Sequence, residues 1–289
     1  MILLGCICGC IREIDEDLPA PPRRLVLGAL LEAGKPVEVY VGRVTAMTDS
    51  ARRAVNDAHV ELYLDGRLSQ ALVPAGQGRY RAAAPVFPAH GQIVNLRATA
   101  PGFPSVAATD TVPLLFDTLR TTAYHRWPVR LDANNSLLYA EAVLTLPDLP
   151  GATFYEIDRM LWGDFGATSD PVFVAEGDLF YNPQTAFFSD RLFRDQTAEL
   201  RFQFNLGTLF GPRVEPARTQ PLVLRTTSRA YYRFRKSWTR HRYNQTTYAD
   251  DPLQVLWQGE PVNLYTNVQG GYGVVACFAE RTLAMPRRP

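Results

Sequence analysis

The sequence predicts a mainly all-β protein: a small N-terminal β-sandwich, immunoglobulin-like or transthyretin-like, followed by a second antiparallel β domain carrying one amphipathic helix. Three observations lead there. Short runs with apolar residues at alternate positions recur along the chain, which is the period of a half-buried strand. Turn dipeptides and Gly/Pro clusters separate these runs at the spacing of sandwich strands. Near residues 229–241 the rhythm changes to an uninterrupted helical one.

The first strands are read at Leu25-Val26-Leu27 and residues 37–41, the second with apolar residues at every other position. Residues 58–64 and 67–73 flank Asp65-Gly66. That pair is a strong hairpin signal, because a type I′ turn needs positive φ at both central residues. Gly76-Gln77-Gly78 makes a second turn into Arg79-Tyr80-Arg81, and residues 91–98 make a further strand. Together these predict a sandwich over residues 24–112. Pro101, Gly102, Pro104 and Pro113 mark its boundary with a second β domain over 113–289.

In that second domain, residues 137–144 and 199–206 alternate as strands. Residues 160–190 are rich in Gly, Pro, Asp and aromatics, and read as long loops with short strands, where binding residues can sit. Most of the aromatics here are expected in the core. Trp162, Phe165 and Tyr181 are candidates for a surface that grips a carbohydrate, peptide or protein partner.

Ser228 is the expected N-cap of the helix, and Tyr231, Phe234 and Trp238 fall on one face. Arg229, Arg233, Arg235, Lys236, Arg240 and Arg242 occupy the remainder. The plain expectation is an aromatic stripe docked on the sheet with a solvated basic face. The sharper one is contact of Arg233, Lys236 and Arg240 with anionic lipid headgroups or an acidic partner. Residues 261–278 are read as two strands around a glycine-rich bend. No G-x-x-x-x-G-K-[ST] loop is present, so the glycines are expected to serve positive φ or a bulge.

The N-terminus carries a different signal. Three of the four cysteines lie in Met1-Ile2-Leu3-Leu4-Gly5-Cys6-Ile7-Cys8-Gly9-Cys10, and an acidic stretch ending in prolines follows. An apolar residue at −3 and glycine at −1 precede both Cys6 and Cys10, the pattern of a lipoprotein acylation site. No Lys or Arg precedes Arg12, so a longer leader with a basic start is expected upstream. Residues 1–23 are thus read as a signal remnant and tether, with Cys10 as the lipidated residue and Cys6 as the alternative. Soft-metal binding by C-x-C-x-C and a disulfide to Cys277 are the competing readings.

A net charge of +1 gives no field to attract nucleic acid, and no partner of that kind is expected. His59, His90, His125 and His241 do not stand at metal-ligand spacing, and no G-x-S-x-G nucleophile elbow occurs. No cofactor, metal or catalytic residue is expected. The loop carboxylates Asp164, Asp170, Glu176 and Asp178 leave a secreted hydrolase or a Ca²⁺ site as the alternative.

Several of these segments, taken in order, resemble the DUF4249 family of uncharacterised Bacteroidota outer-membrane lipoproteins. They are the acidic tether from Cys10 to Pro19, Ala58-His59-Val60, Gly78-Arg79-Tyr80, Phe188-Ser189-Asp190-Arg191-Leu192-Phe193, the aromatic helix from Tyr231 to Trp238, and Tyr265-Thr266-Asn267-Val268-Gln269-Gly270-Gly271-Tyr272-Gly273. The last is the most specific; Thr266 replaces the family's usual Ser, and Val275-Ala276-Cys277 replaces a more typical Phe-Gly stretch. The resemblance implies a lipid-anchored outer-membrane protein, on the periplasmic or cell-surface face, often encoded beside a TonB-dependent transporter. It implies no known reaction and carries over no catalytic residues, and a non-enzymatic accessory to such a transporter is the expected role. A structural or adhesion module of the cell surface is the alternative outside that role.

Overall fold

The structure, a computed structural model, describes residues 21–46, 53–116, 120–130, 135–151, 153–163, 166–171, 173–174, 180–182, 185–210, 222–245 and 262–283. Cys6 and Cys10 lie outside these residues, as do Phe165, Asp164, Glu176 and Asp178.

Alternation in the sequence becomes strands in the order it suggests. The first seven are β1 (Leu25–Glu32), β2 (Glu38–Arg43), β3 (His59–Leu64), β4 (Arg67–Gly76), β5 (Arg79–Ala82), β6 (Ile93–Thr99) and β7 (Val106–Thr111). Their inward residues, among them Leu25, Leu27, Val39, Val41, Val60, Leu62, Val94 and Leu96, form one apolar core. Asp65 and Gly66 have φ of 50° and 78°, so the β3–β4 hairpin turns with both central residues at positive φ. Tyr80 is fully buried in the same core. Its hydroxyl donates to the Val55 carbonyl at 2.8 Å and accepts the Ala58 N–H at 2.9 Å, so its one polar atom is satisfied.

The remaining elements are β8 (Arg120–Arg130), β9 (Asn135–Leu146), β10 (Phe154–Gly163), β11 (Gly166–Pro171), β12 (Phe173–Val174), β13 (Phe180–Asn182), β14 (Thr185–Ser189), β15 (Ala198–Phe210), β16 (Leu222–Thr227), α1 (Arg229–Gln245) and β17 (Tyr272–Leu283). Thirteen strands form one continuous sheet in the order β13-β14-β10-β16-β17-β1-β2-β5-β4-β3-β6-β7, with β11 added on β10. A second sheet of four runs β12-β15-β9-β8. The chain is therefore mainly β, with one α-helix among the described residues.

Two features depart from the local reading. First, β17 pairs in parallel with β1, from Val26↔Tyr272 to Glu32↔Phe278, and antiparallel with β16. Val275 and Cys277 of β17 enter the core of the N-terminal strands, so a C-terminal strand completes packing begun at the opposite end of the chain. Second, residues 262–268 are not a strand, although two strands are expected around the glycines. Asn267 is the physical reason. Its side chain accepts the Val275 N–H at 3.0 Å and donates to the Val275 carbonyl at 2.8 Å. One side-chain amide thus satisfies the backbone groups a neighbouring strand would otherwise pair.

The glycine-rich motif has a packing role. A Cβ at Gly270 would collide with the Ser105 carbonyl, and one at Gly271 with the Leu25 carbonyl and Val106. Gly273, at φ 113°, lies against the backbone of Leu27. The motif lets β17 slide against β1 and the start of β7 at a distance no side chain permits.

Candidate functional site: a basic cleft at the start of the helix

α1 begins where the sequence places it. Ser228 caps it, its Oγ accepting the Tyr231 N–H at 3.1 Å. Tyr231 is buried and Phe234 half-buried against Val274, Ala276 and Phe278 of β17, while Trp238 stacks on Phe234 at 6.3 Å and stays 40% exposed. A strap of residues 262–265 runs beside the helix. His241 Nδ1 contacts the Val262 carbonyl at 3.0 Å, Ser237 Oγ accepts the Tyr265 N–H at 2.8 Å, and Arg233 lies over the Tyr265 ring.

The basic side chains of the helix divide between two environments. Arg235 turns inward to Glu156 of β10, whose carboxylate is 2% exposed. Glu156 also accepts the Tyr231 hydroxyl at 2.5 Å and Arg225 Nη1 at 3.0 Å, and Arg225 Nε reaches Glu280 at 2.8 Å. Burial pushes the Glu156 carboxyl up, but Arg235, Arg225 and the tyrosine hydroxyl outweigh it and hold the group below its ordinary value. This network ties α1 to the sheet. Arg235 therefore departs from the expected solvated face, because a buried carboxylate on the neighbouring strand needs a counter-charge.

On the other side of the helix start lies a cleft of about 1030 Å³. Its wall is drawn from Asp110 to Leu114 at and just after the end of β7, Leu149, Pro150, Thr153 and Phe154, Ser189, Asp190, Arg191 and Arg194, the end of β16 and the first two turns of α1. Arg191, Arg194, Arg229, Arg233 and Lys236 line it, against two carboxylates, Asp110 and Asp190. Both carboxylates are committed. Asp190, 1% exposed, accepts the Thr153 N–H at 3.0 Å and pairs with Arg194 at 3.2 Å. Asp110 accepts the Cys277 N–H at 2.7 Å and the Ser228 hydroxyl, and burial raises its carboxyl above the ordinary range. Phe154 stacks on Tyr232 at 4.7 Å, and Lys236 lies 5.3 Å over the same tyrosine ring. Thr226 and Thr227, 0% and 3% exposed, also line the cleft; their hydroxyls have no hydrogen-bond partner among the described residues. The Lys236 ammonium is pushed down by burial and by the nearby charges of Arg191 and Arg240.

Of the candidate surface residues, Arg233 and Lys236 are brought together here. Arg240 is exposed one turn farther along α1, outside the cleft wall. Trp162 and Tyr181 are placed as backbone positions in β10 and β13. Asp170 is a backbone position in β11 paired with Arg159. Among the described residues there is no group of His, Cys, Asp and Glu able to hold a metal. None of the described helices is long and apolar enough to cross a membrane. Cys277 is a free, fully buried thiol raised by burial and by Asp110. Sequence reasoning missed Arg191, Arg194 and Thr227 as members of a common site. The Phe188 to Phe193 segment was visible as a motif, and Asp190 within it clamps β14 to the start of β10 through Thr153.

No curated protein matches the chain. Among solved structures, 72% of the chain aligns with 23% of the chain in the apo structure of Bacteroides uniformis beta-glucuronidase 3, at 13% identity and a TM-score of 0.21. The protein thus spans less than a quarter of that enzyme's length, and a likeness this low bears on neither fold nor activity. The family model described as a domain of unknown function, DUF4249, matches residues 11–284, and the chain belongs to that family.

Proposed function

We propose that this protein is a Bacteroidota cell-envelope lipoprotein, lipid-anchored at the outer membrane, that binds a ligand or partner without catalysis as an accessory to a TonB-dependent transporter. The cleft at the start of α1 is the binding site in this reading. The observation that carries it is the contrast inside the cleft. Five cationic side chains line it, while both of its carboxylates are already engaged by backbone N–H groups, Ser228 or Arg194. A general acid or base must be able to exchange a proton with a substrate, and both of these carboxylates are already engaged within the protein. Cationic side chains around an open cleft favour capture. The lipobox-like Ile7-x-Gly9-Cys10, followed by an acidic tether, supports the anchor, and family membership supports the envelope setting.

The test is made on the full chain expressed in a Bacteroidota host. Mass spectrometry of the mature N-terminus is expected to find an acylated Cys10, and Cys10→Ala is expected to move the protein from the membrane to the soluble fraction. Gentle detergent extraction is expected to co-purify an outer-membrane transporter. Unmodified Cys6 and Cys10 in the mature protein sink the anchor, and purification as a lone monomer sinks the accessory role.

A further inference from the structure

We propose that the cleft takes a small oxyanionic group, a phosphate, sulfate or carboxylate, held by Arg229, Arg233 and Arg191 with the Thr227 hydroxyl as a neutral donor. The inference deepens the binding-protein reading and rests on the cleft being its site.

Four observations converge. Arg229 and Arg233 stand one turn apart at the start of α1, and Arg191 faces them from the turn after β14, so the cations come from separate elements and meet at one opening. The first turn of α1 carries no acidic side chain, so the positive end of its dipole has no compensation from its own turn. Thr227 pairs with Phe154 across β16 and β10 and so shares its face of the sheet, the face on which Phe154 stacks with Tyr232 of α1. Its hydroxyl is buried at the cleft wall with no partner among the described residues. A buried polar group without a partner is costly, and a bound acceptor removes that cost.

The crowding of like charge points the same way. Lys236 is disfavoured as a cation by burial first and then by Arg191 and Arg240. An anion in the cleft relieves that repulsion. The acidic groups facing the site are Asp110, held by Ser228 and the Cys277 N–H, and Asp190, held by Thr153 and Arg194. Arg194 is therefore partly neutralised already, which leaves Arg191, Arg229 and Arg233 as the principal ligands. An exposed basic rim serving only solubility needs no orphaned hydroxyl buried in the wall of a cleft.

The experiment is isothermal titration of the full chain with inorganic phosphate, sulfate and citrate, against chloride at matched ionic strength. Saturable binding of at least one oxyanion is expected. Arg229→Gln with Arg233→Gln is expected to weaken it on the order of tenfold or more, since charge-assisted hydrogen bonds are the strong ones. Thr227→Val, nearly isosteric, is expected to weaken it several-fold. The control, Arg79→Gln with Arg81→Gln, removes two exposed cations that pair with Glu38 on distant strands, and is expected to leave affinity unchanged. Absence of saturable binding, or equal loss in the control pair, overturns the proposal.

Sedimentation with phosphatidylglycerol vesicles assigns the source. Vesicle binding competed by phosphate and lost in the arginine double variant upholds the site and assigns it to a lipid headgroup. Phosphate binding without vesicle binding upholds it for a free oxyanion. A wild-type protein that co-purifies with a transporter but binds no oxyanion overturns this inference alone. Oxyanion binding without any transporter overturns the accessory role alone.

Discussion

Two polar sites flank the beginning of the same helix, and they are built in opposite ways. At the Glu156 site one buried carboxylate meets Tyr231, Arg225 and Arg235, and Arg225 continues to Glu280. In the cleft, several cations line an opening, two carboxylates are engaged elsewhere, and threonine hydroxyls lack partners among the described residues. The difference teaches how to separate a structural network from a site. A network whose every member is satisfied locks two elements together and has nothing left to offer a ligand. A network left incomplete on the protein side has capacity for a molecule from outside.

Substitutions can break or sharpen that contrast. Glu156→Gln is expected to have the largest effect, a loss of about 3 kcal/mol in urea unfolding, because it leaves two buried or half-buried guanidiniums under-compensated. Its pH signature has a definite sign. The carboxyl is held below its ordinary value of 4.5, so its stabilisation is fully present above pH 4.5 and disappears as pH falls through the lower folded-state value. The stability gap between wild type and Glu156→Gln should therefore narrow below pH 4.5. Asp110, whose carboxyl is raised by burial, works in the other direction and gains stability on protonation, which is why the variant rather than wild type alone must be followed. A gap independent of pH would rule out ionised Glu156 as the centre of the network.

Tyr231→Phe removes one donor to that carboxylate and is expected to lose about 2 kcal/mol, measured in the same unfolding assay. In the cleft, Thr227→Val replaces an unpartnered buried hydroxyl with a methyl group. It is expected to stabilise the anion-free protein by about 1 kcal/mol in thermal unfolding, the opposite sign to any change at the Glu156 site. A destabilised Thr227→Val protein would mean the hydroxyl is already satisfied. The smallest effect belongs to Arg229→Gln, an exposed change expected within about 0.5 kcal/mol of wild type by urea unfolding. A larger loss would place Arg229 in the structural network rather than on the rim.

Much of the local structure was legible in the residues. Asp65-Gly66 announced a turn because both positions tolerate positive φ, and both adopt it. Ser228 announced the helix start because its hydroxyl can accept an N–H that the helix itself cannot satisfy. The spacing of Tyr231 and Phe234 announced the face that docks on β17. Part of the cleft was legible too, since Arg233 and Lys236 stood out as a basic face. Arg191 did not, because nothing near it in sequence marks it as a neighbour of that helix, and Thr227, although it adjoins the cap, carries no local sign that its hydroxyl lacks a partner among the described residues.

By itself the sequence determined periodicity, turns, the cap and the apolar faces, all of which depend on residues within a few positions of one another. It also carried the Gly-Gly-x-Gly motif, without its meaning. Tertiary structure decided the rest. It paired β17 with β1 from the two ends of the chain, which demands glycine where β17 meets the Leu25 and Leu27 backbone. It let Asn267 stand in for a strand and turned Arg235 toward Glu156. It also assembled the cleft from several separate segments. The physical reason is the same in each case. Alternation states that a face must be buried but not against what, and a charge states that it needs a partner or water but not which. Those choices are made only when distant elements compete for the same space.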